Sequence, residues 1–324
     1  MQNIAEILER FQNYLDQCDI PQQPSGLYEP MRYALSLGGK RMRPLLMILA
    51  YGLYRDDIET VFDAAGGMEI FHNFTLLHDD VMDCADMRRG KPTVHCKWDV
   101  NTAILSGDGM AFIAYRYLMR VPAEHLKHVL EIADKAFMGV VEGQQHDMDF
   151  ESRRTVTEDE YMEMIRLKTA VLPAAALKIG AVLGGATEAE SDALYRFGEK
   201  MGLAFQLQDD MLDVYGDPKV FGKNIGGDIA CNKKTYLYIM ARNLADAEMN
   251  RELDEWARYN GGDAAAKYDA VRRIYDALDV RGCCMKRIDG LFADALSCVG
   301  GLRVDPSRLG RLTDYVCGMI HRQY

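Results

Sequence analysis

The sequence predicts an all-α fold, and three observations carry that expectation. Only nine of the 324 residues are proline, so long helices have few obligatory breaks. Apolar residues make up 48% of the chain and recur at helical spacing in one stretch after another. No alternating run of β-branched residues lasts more than a few positions, which leaves no candidate sheet. No linker, low-complexity tract or charge block divides the chain. Residues 1–324 are therefore expected to form a single domain.

Taken in order, residues 3–18 place Ile4, Ile7, Leu8, Phe11 and Leu15 on one helical face. A Pro-rich loop, Pro21 to Pro24, separates this helix from a short one over Tyr28–Leu37, which stops at Gly38-Gly39. Lys40, Arg41 and Arg43 then precede Pro44 and an apolar helix over Leu45–Tyr54. Two glycines and three cations ahead of a helix start suit an anion, because backbone N–H groups and the helix dipole converge there. A flexible basic loop is the plainer reading.

Phe62, Ala65, Met68, Glu69, His72, Leu76 and Asp79 share a helical spacing, so one helix is expected over Ile58–Asp83. Its end, Leu77-His78-Asp79-Asp80-Val81-Met82-Asp83, puts Asp79 and Asp83 one turn apart on one face, with Asp80 about 100° round. Carboxylates aligned in this way repel each other, and a hard cation relieves the cost. Oxygen-only ligands suit Mg²⁺, which fills its remaining positions with water and phosphate oxygens. A single motif of this kind also describes a solvated helix end. However, Phe205-Gln206-Leu207-Gln208-Asp209-Asp210-Met211-Leu212-Asp213 repeats it at the end of a second apolar helix, expected over Ser191–Asp213. Two such helices facing each other across a cavity would hold several divalent ions against one polyphosphate.

Basic groups accompany both aspartate motifs. Arg88-Arg89-Gly90 follows Asp83 by five residues, and arginine binds phosphate bidentately without losing its charge. Small residues at 103, 106, 107, 109, 111 and 114 permit close packing of a helix over Asp99–Leu118. A long helix, Ala123–Phe150, carries Gly143-Gln144 and Asp147, the last read as a lone inward carboxylate. Thr157 and Glu160 form a capping box. Lys168-Thr169 ahead of Pro173 predicts a kink that frees backbone carbonyl groups. Gly222-Lys223 through Asp228 is a Gly-rich loop, and Lys233-Lys234-Thr235 opens the next helix. Helices are expected over Lys234–Asn243, Asn250–Tyr259, Ala264–Val280, Cys283–Val299 and Pro306–His321.

The net charge of −11 argues against general nucleic-acid binding, which needs a basic footprint. No 18-residue uncharged apolar stretch predicts a membrane span, and Met1–Arg10 has no secretory h-region. The eight cysteines show no metal-site spacing and read as reduced core fillers of a cytoplasmic protein.

A polyphosphate held by metals and cations, beside a greasy interior, suits ionisation of an allylic diphosphate with water excluded. In these motifs the chain resembles the trans-isoprenyl diphosphate synthase (polyprenyl synthetase) family. The resemblance runs from residue 38 to 235: Gly39-Lys40-Arg41-x-Arg43-Pro44, Asp79–Asp83, Arg88-Arg89-Gly90, Lys168-Thr169, Asp209–Asp213 and Gly222-Lys223 through Asp228. It implies long helices around a central cavity, a homodimer, and Mg²⁺, three to a site. Asp79, Asp83 and Asp209 are then the ligands, supported by Asp80, Asp210 and Asp213 and, for one ion, by Asp147. By the same resemblance Arg88, Lys168, Lys223 and Lys233 hold an allylic diphosphate. Isopentenyl diphosphate lies on Lys40, Arg43, His72 and Arg89, and Thr169 and Gln206 face the carbocation.

Product length follows from helix geometry. Phe74 lies about 7–8 Å down the helix from Asp79 at ~1.5 Å per residue, with Phe71 about one turn further down and the small Thr75 next to Phe74. A ring at position 74 would close a tunnel early, and the resemblance, in which long-chain members tend to carry a small residue there, implies a C15 or C20 product. Geranylgeranyl diphosphate is favoured, farnesyl diphosphate comes next, and ordinary core aromatics are the alternative. Asn224 stands where the family favours proline and Asn232 where it favours glycine. The tail, His321 to Tyr324, lacks a basic run. A non-catalytic partner subunit would have no need of six aspartates. A terpene cyclase would not need the Gly-Lys-Arg-x-Arg-Pro loop. A di-iron bundle needs two Glu-x-x-His pairs, and Glu69 with His72 is the single one.

Overall fold

The structure, a computed structural model, describes residues 3–216, 225–259 and 261–320. Lys223, Asn224 and the tail 321–324 lie outside the described residues. Contacts group the chain into two compact units. Among the described residues the only strands are two of two residues each, in accord with the all-α expectation.

The first unit comprises residues 1–137, 175–192 and 304–309. Helix α1 (Ile4–Asp16) opens in a capping box of Asn3 with Glu6 and buries Ile7, Phe11 and Leu15. Helix α2 (Ser25–Ser36) starts three residues before the expected Tyr28, because Pro24 occupies its N-cap in extended conformation. Gly38 follows at φ 79 and ends it as expected. Helix α3 (Met42–Tyr51) is buried at every position from Pro44.

Where one helix was expected from Ile58, a 3₁₀ turn (Ile58–Val61) precedes α4 (Phe62–Met82). Asp57 accepts from both Thr60 Oγ1 and Tyr51 Oη, which draws this first turn tight. Helix α4 packs on α6 (Val100–Leu118), and small residues set the distance. A Cβ on Gly67 would lie 2.8 Å from Ala114 O, and one on Gly107 would lie 2.3 Å from His78 Nε2. Between the two helices, Met87–Arg88 (β1) pairs antiparallel with Lys91–Pro92 (β2). Arg89 (φ 52) and Gly90 (φ 75) form the connecting turn, with both central residues at positive φ as a two-residue hairpin requires. The sequence suggested only a basic loop here, because four strand residues carry no periodic signal. The short helix α5 (Val94–Lys97) was missed for the same reason. Tyr33 Oη donates to Pro92 O at 2.7 Å and moors the hairpin to α2.

The second unit comprises residues 138–174, 193–303 and 310–324. It takes the end of α7 (Ala123–Ser152), then α8 (Glu158–Ile165), which starts in the expected Thr157–Glu160 box. A π-helical turn, Arg166–Ala170, leads into α9 (Val171–Gly184). The sequence expected a kink here, and a π turn is the form it takes. Val171 N–H reaches back to Arg166 O, and Pro173 has no N–H to offer the Thr169 carbonyl.

Helix α10 (Glu188–Tyr215) carries the second aspartate motif and begins three residues early, because Thr187 and Glu190 cap each other. The remaining helices are α11 (Gly227–Ala230), α12 (Tyr236–Leu244), α13 (Ala247–Ala257), α14 (Ala264–Ala277), α15 (Val280–Val299) and α16 (Pro306–Ile320). Leu207, Met211, Leu237, Tyr275, Cys284 and Ile288 are core residues of this unit. Among the described residues one helical run, Glu158–Gly184, is long and apolar enough to cross a membrane, and 72% of its apolar window is buried within the protein. Lys168 and Lys178 interrupt it.

Candidate active site

In the first unit the site grows from the loop ahead of α3 and the last turns of α4. Arg41 stands at φ 46 and is buried. It donates to Glu69 Oε1 at 2.7 Å, Gln12 Oε1 at 3.0 Å and Leu35 O at 2.8 Å. Asn73 Nδ2 donates to the same Glu69 oxygen at 3.0 Å. Arg41 is thus the strut that fixes the loop, while Lys40 remains exposed.

Arg43 Nη1 lies 3.0 Å from His72 Nε2. A guanidinium can only donate, so Nε2 accepts and the proton sits on Nδ1. Burial, then Arg43, Arg89 and Arg88, hold the His72 pKa well below its ordinary value, and the ring is neutral. Burial also lowers Arg43 to about 10, and its Nε is buried without a hydrogen bond. Arg89 lays its guanidinium on Gly39 (φ 133), where a Cβ would come within 2.7 Å of it. The glycine is needed there for its conformation, since the guanidinium is the far end of a flexible side chain and could shift.

The three aspartates of α4 divide their work. Asp80 is buried and accepts from Arg88 Nε at 2.9 and 2.8 Å and from Nη2 at 2.7 Å. Asp83 caps the helix end and is exposed, and Asp79 is half-buried one turn back. Asp80 therefore orients Arg88. Asp79 and Asp83 lie one turn apart at the end of α4, and their oxygen-donor type suits Mg²⁺, although among the described residues no three His, Cys, Asp or Glu side chains are gathered around one point.

Deeper in α4, Phe71 is buried and stacks on Phe137 with centroids 3.5 Å apart and an interplanar angle of 3°. Phe74 is half-buried and meets Phe71 and His78 edge-on at 5.2 and 4.8 Å. Thr75 Oγ1 turns back to His72 O at 2.8 Å.

In the second unit a cavity of about 120 Å³ is lined by Asp147, Lys168, Thr169, Gln206, Asp210, Asp228 and Lys233 together with apolar side chains that include Phe150, Met164 and Ile165. Lys168 Nζ donates to Asp147 at 2.5 Å, so Asp147 is not the lone carboxylate that the sequence suggested. Thr169 Oγ1 donates to Gln206 Oε1 at 3.0 Å, and Gln206 Nε2 donates to Asp210 at 3.0 Å. The buried Tyr161 hydroxyl holds the other Asp210 oxygen. Burial and Asp228 push Asp210 up to about 7, against the hydrogen bonds from Tyr161 and Gln206. Asp210 is therefore an orienting group. Asp209, half-buried beside it, remains the ligand candidate. Asp213 Oδ2 accepts from Asp228 N–H at 3.0 Å and caps α11.

Sequence reasoning missed Tyr161 and Lys234, both of which line this cavity. Tyr161 lies seven residues before Lys168, two turns along one face, which was the available signal. Lys234 donates to Glu151 O at 2.9 Å, at the C-terminal end of α7. His146 is exposed and near Phe150, in keeping with its omission.

The π turn that carries Lys168 and Thr169 sits between two glycines. A Cβ on Gly143 would be 2.3 Å from Lys168 N, and one on Gly202 would be 2.6 Å from Ala170 Cα. Both obstacles are backbone and cannot swing aside. Gly143→Ala is expected to destabilise the protein by about 1–3 kcal/mol through overpacking, read as a lower urea midpoint. Gly26→Ala, inside α2 with nothing within 4 Å, should leave the midpoint in place or raise it slightly. Equal midpoints for the two variants would refute this packing.

A family model described as polyprenyl synthetase matches residues 24–277. A short chain isoprenyl diphosphate synthase from Methanocaldococcus jannaschii is 42% identical over 253 residues, covering 78% of this chain and 75% of that protein. A geranylgeranyl diphosphate synthase from Methanosarcina mazei is 44% identical over 221 residues, 68% of each chain. A crystal structure of a geranylgeranyl pyrophosphate synthase superposes with a TM-score of 0.95 at 40% identity, covering 100% of both chains. The chain belongs to the polyprenyl synthetase family.

Proposed function

We propose that this prenyltransferase condenses isopentenyl diphosphate with an allylic diphosphate to give a trans-prenyl diphosphate of C15–C20, geranylgeranyl diphosphate ahead of farnesyl diphosphate. The observation that carries the reading is the cavity lined by Lys168, Lys233, Lys234, Thr169 and Gln206 together with apolar side chains. Cations there bind a diphosphate and stabilise charge as it departs. The hydroxyl and amide dipoles beside them suit a carbocation, and the apolar side chains of the lining, Phe150, Met164 and Ile165, offer it surroundings that do not quench it.

Arg88, Lys168, Lys223 and Lys233 hold the allylic diphosphate. Lys40, Arg43, His72 and Arg89 hold the isopentenyl group's diphosphate, and the neutral His72 keeps Arg43 aimed. The allylic C–O bond breaks and its electron pair leaves with diphosphate. The isopentenyl double bond then forms the new C–C bond to the allylic carbon. The resulting tertiary cation loses a proton to the departed diphosphate. Asp79, Asp83 and Asp209 would hold Mg²⁺, which when bound supplies Lewis-acid stabilisation of the diphosphate oxygens.

A homodimer is part of this proposal. On α6 and its C-cap, Leu105, Phe112 and Met119 recur every seven residues and are 60, 72 and 52% exposed, an apolar stripe that a second copy would cover. A cytoplasmic location is supported by the eight unpaired cysteines.

The test is a product assay with labelled isopentenyl diphosphate, C5, C10 and C15 primers and MgCl₂, with and without chelator. Metal-dependent C15 or C20 product is expected. No elongation from any primer would overturn the reading in favour of a partner subunit or a cyclase. In the same assay Phe74→Ala is expected to lengthen the product by at least one C5 unit. An unchanged product would return that ring to the ordinary core.

A further inference from the structure

The N-terminal half of α14 holds the chain on both sides of the second aspartate motif's sequel. Tyr268 Oη donates to Val214 O at 2.6 Å, next to Asp213, and accepts from Arg272 Nη1 at 3.1 Å. Its ring covers Gly226 (φ 83), where a Cβ would come within 2.5 Å of Cδ2. Lys267, one residue earlier, is 5% exposed. Its Nζ donates to Ala230 O at 3.1 Å and to Asn232 Oδ1 at 2.7 Å. Asn232 Nδ2 donates in turn to Ala257 O, the last residue of α13, at 3.1 Å.

Asn232 is thus tied to two helices while its backbone sits at φ 56, a conformation that glycine adopts without cost. The residues that follow, Lys233, Lys234 and Thr235, all line the cavity. Both acceptors of the buried Lys267 are neutral. A buried cation held in this way is costly, so its use is geometric: it fixes where the chain turns into the cavity.

We propose that Lys267 and Asn232 form a lock that positions Lys233 and Lys234 for the diphosphate of the allylic substrate. The proposal rests on the synthase reading above and names two positioning residues, neither of which lines the cavity.

Asn232→Gly is the mild test, because glycine keeps the backbone and removes both side-chain bonds. It is expected to raise the KM for the allylic primer about tenfold, the equivalent of one charge-assisted hydrogen bond. The KM for isopentenyl diphosphate should stay within about twofold. Asn232→Asp keeps an acceptor for Lys267 and should recover most of the primer KM. Lys267→Met should reproduce the defect, and the double variant with Asn232→Gly should be no worse than Lys267→Met alone. An unchanged primer KM, an equal rise in both KM values, or additive effects would overturn the lock.

Calorimetric titration of inorganic diphosphate with MgCl₂ separates the two readings. If the wild type makes no prenyl product, the synthase reading fails, and weaker diphosphate binding by Asn232→Gly still supports the lock. If the wild type is active and the variant binds diphosphate and primer equally well, only the lock fails. A wild type that binds no diphosphate overturns both.

Discussion

Asp79→Ala is expected to lower turnover by about three to four orders of magnitude, ~4–5.5 kcal/mol at 1.36 kcal/mol per tenfold. Its carboxylate is half-buried one turn from Asp83 on the exposed end of α4. The backbone bond from Asp83 N to Asp79 O, 2.8 Å, does not depend on the side chain. Helical circular dichroism should therefore be unchanged. The weakening should appear as well in the Mg²⁺ concentration needed for half-maximal diphosphate binding, a readout independent of chemistry. Asp80→Asn should behave differently. Asp80 is spent on Arg88, so its loss should raise the primer KM more than it shifts the Mg²⁺ requirement. Wild-type turnover by Asp79→Ala would sink the ligand assignment.

Glu69→Ala is expected to destabilise the protein by about 3–5 kcal/mol, because it leaves the Arg41 charge buried and unpaired. The two side chains are 4% and 3% exposed and 2.7 Å apart. Against a typical stability of about 5–15 kcal/mol this is a large loss, measured as a fall in the urea midpoint. The paired change Arg41→Met with Glu69→Leu should cost less than Glu69→Ala, since removing both charges removes the desolvation penalty. A double variant worse than the single would show that the pair is net stabilising. Glu69→Ala should also raise the KM for isopentenyl diphosphate. Arg41 anchors the loop that presents Lys40 and Arg43, although it faces the interior itself.

The helical class, the order of the helices and the aspartate motifs were legible in the sequence, because periodicity, capping pairs and repeated carboxylates are local signals. The family followed from the motifs for the same reason. Boundaries slipped where caps decided them: Pro24 and Thr187 each started a helix three residues earlier than the apolar pattern did. The hairpin at Arg89-Gly90 was invisible because it is too short to show a period.

The division of labour inside each motif depended on what lies opposite each side chain. Among three cations in one loop, nothing in the sequence says that Arg41 turns inward to Glu69 while Arg43 meets His72. Among the three aspartates of one motif, nothing local distinguishes Asp80, which Arg88 occupies, from Asp79 and Asp83. The same holds for Asp147, paired with Lys168, and for Asp210, held by Tyr161 and Gln206. By itself the sequence determined which chemistry is present, because residue types and spacing carry it. Only the tertiary structure decided which groups are committed to one another, because burial and hydrogen-bond geometry come from residues distant in the chain.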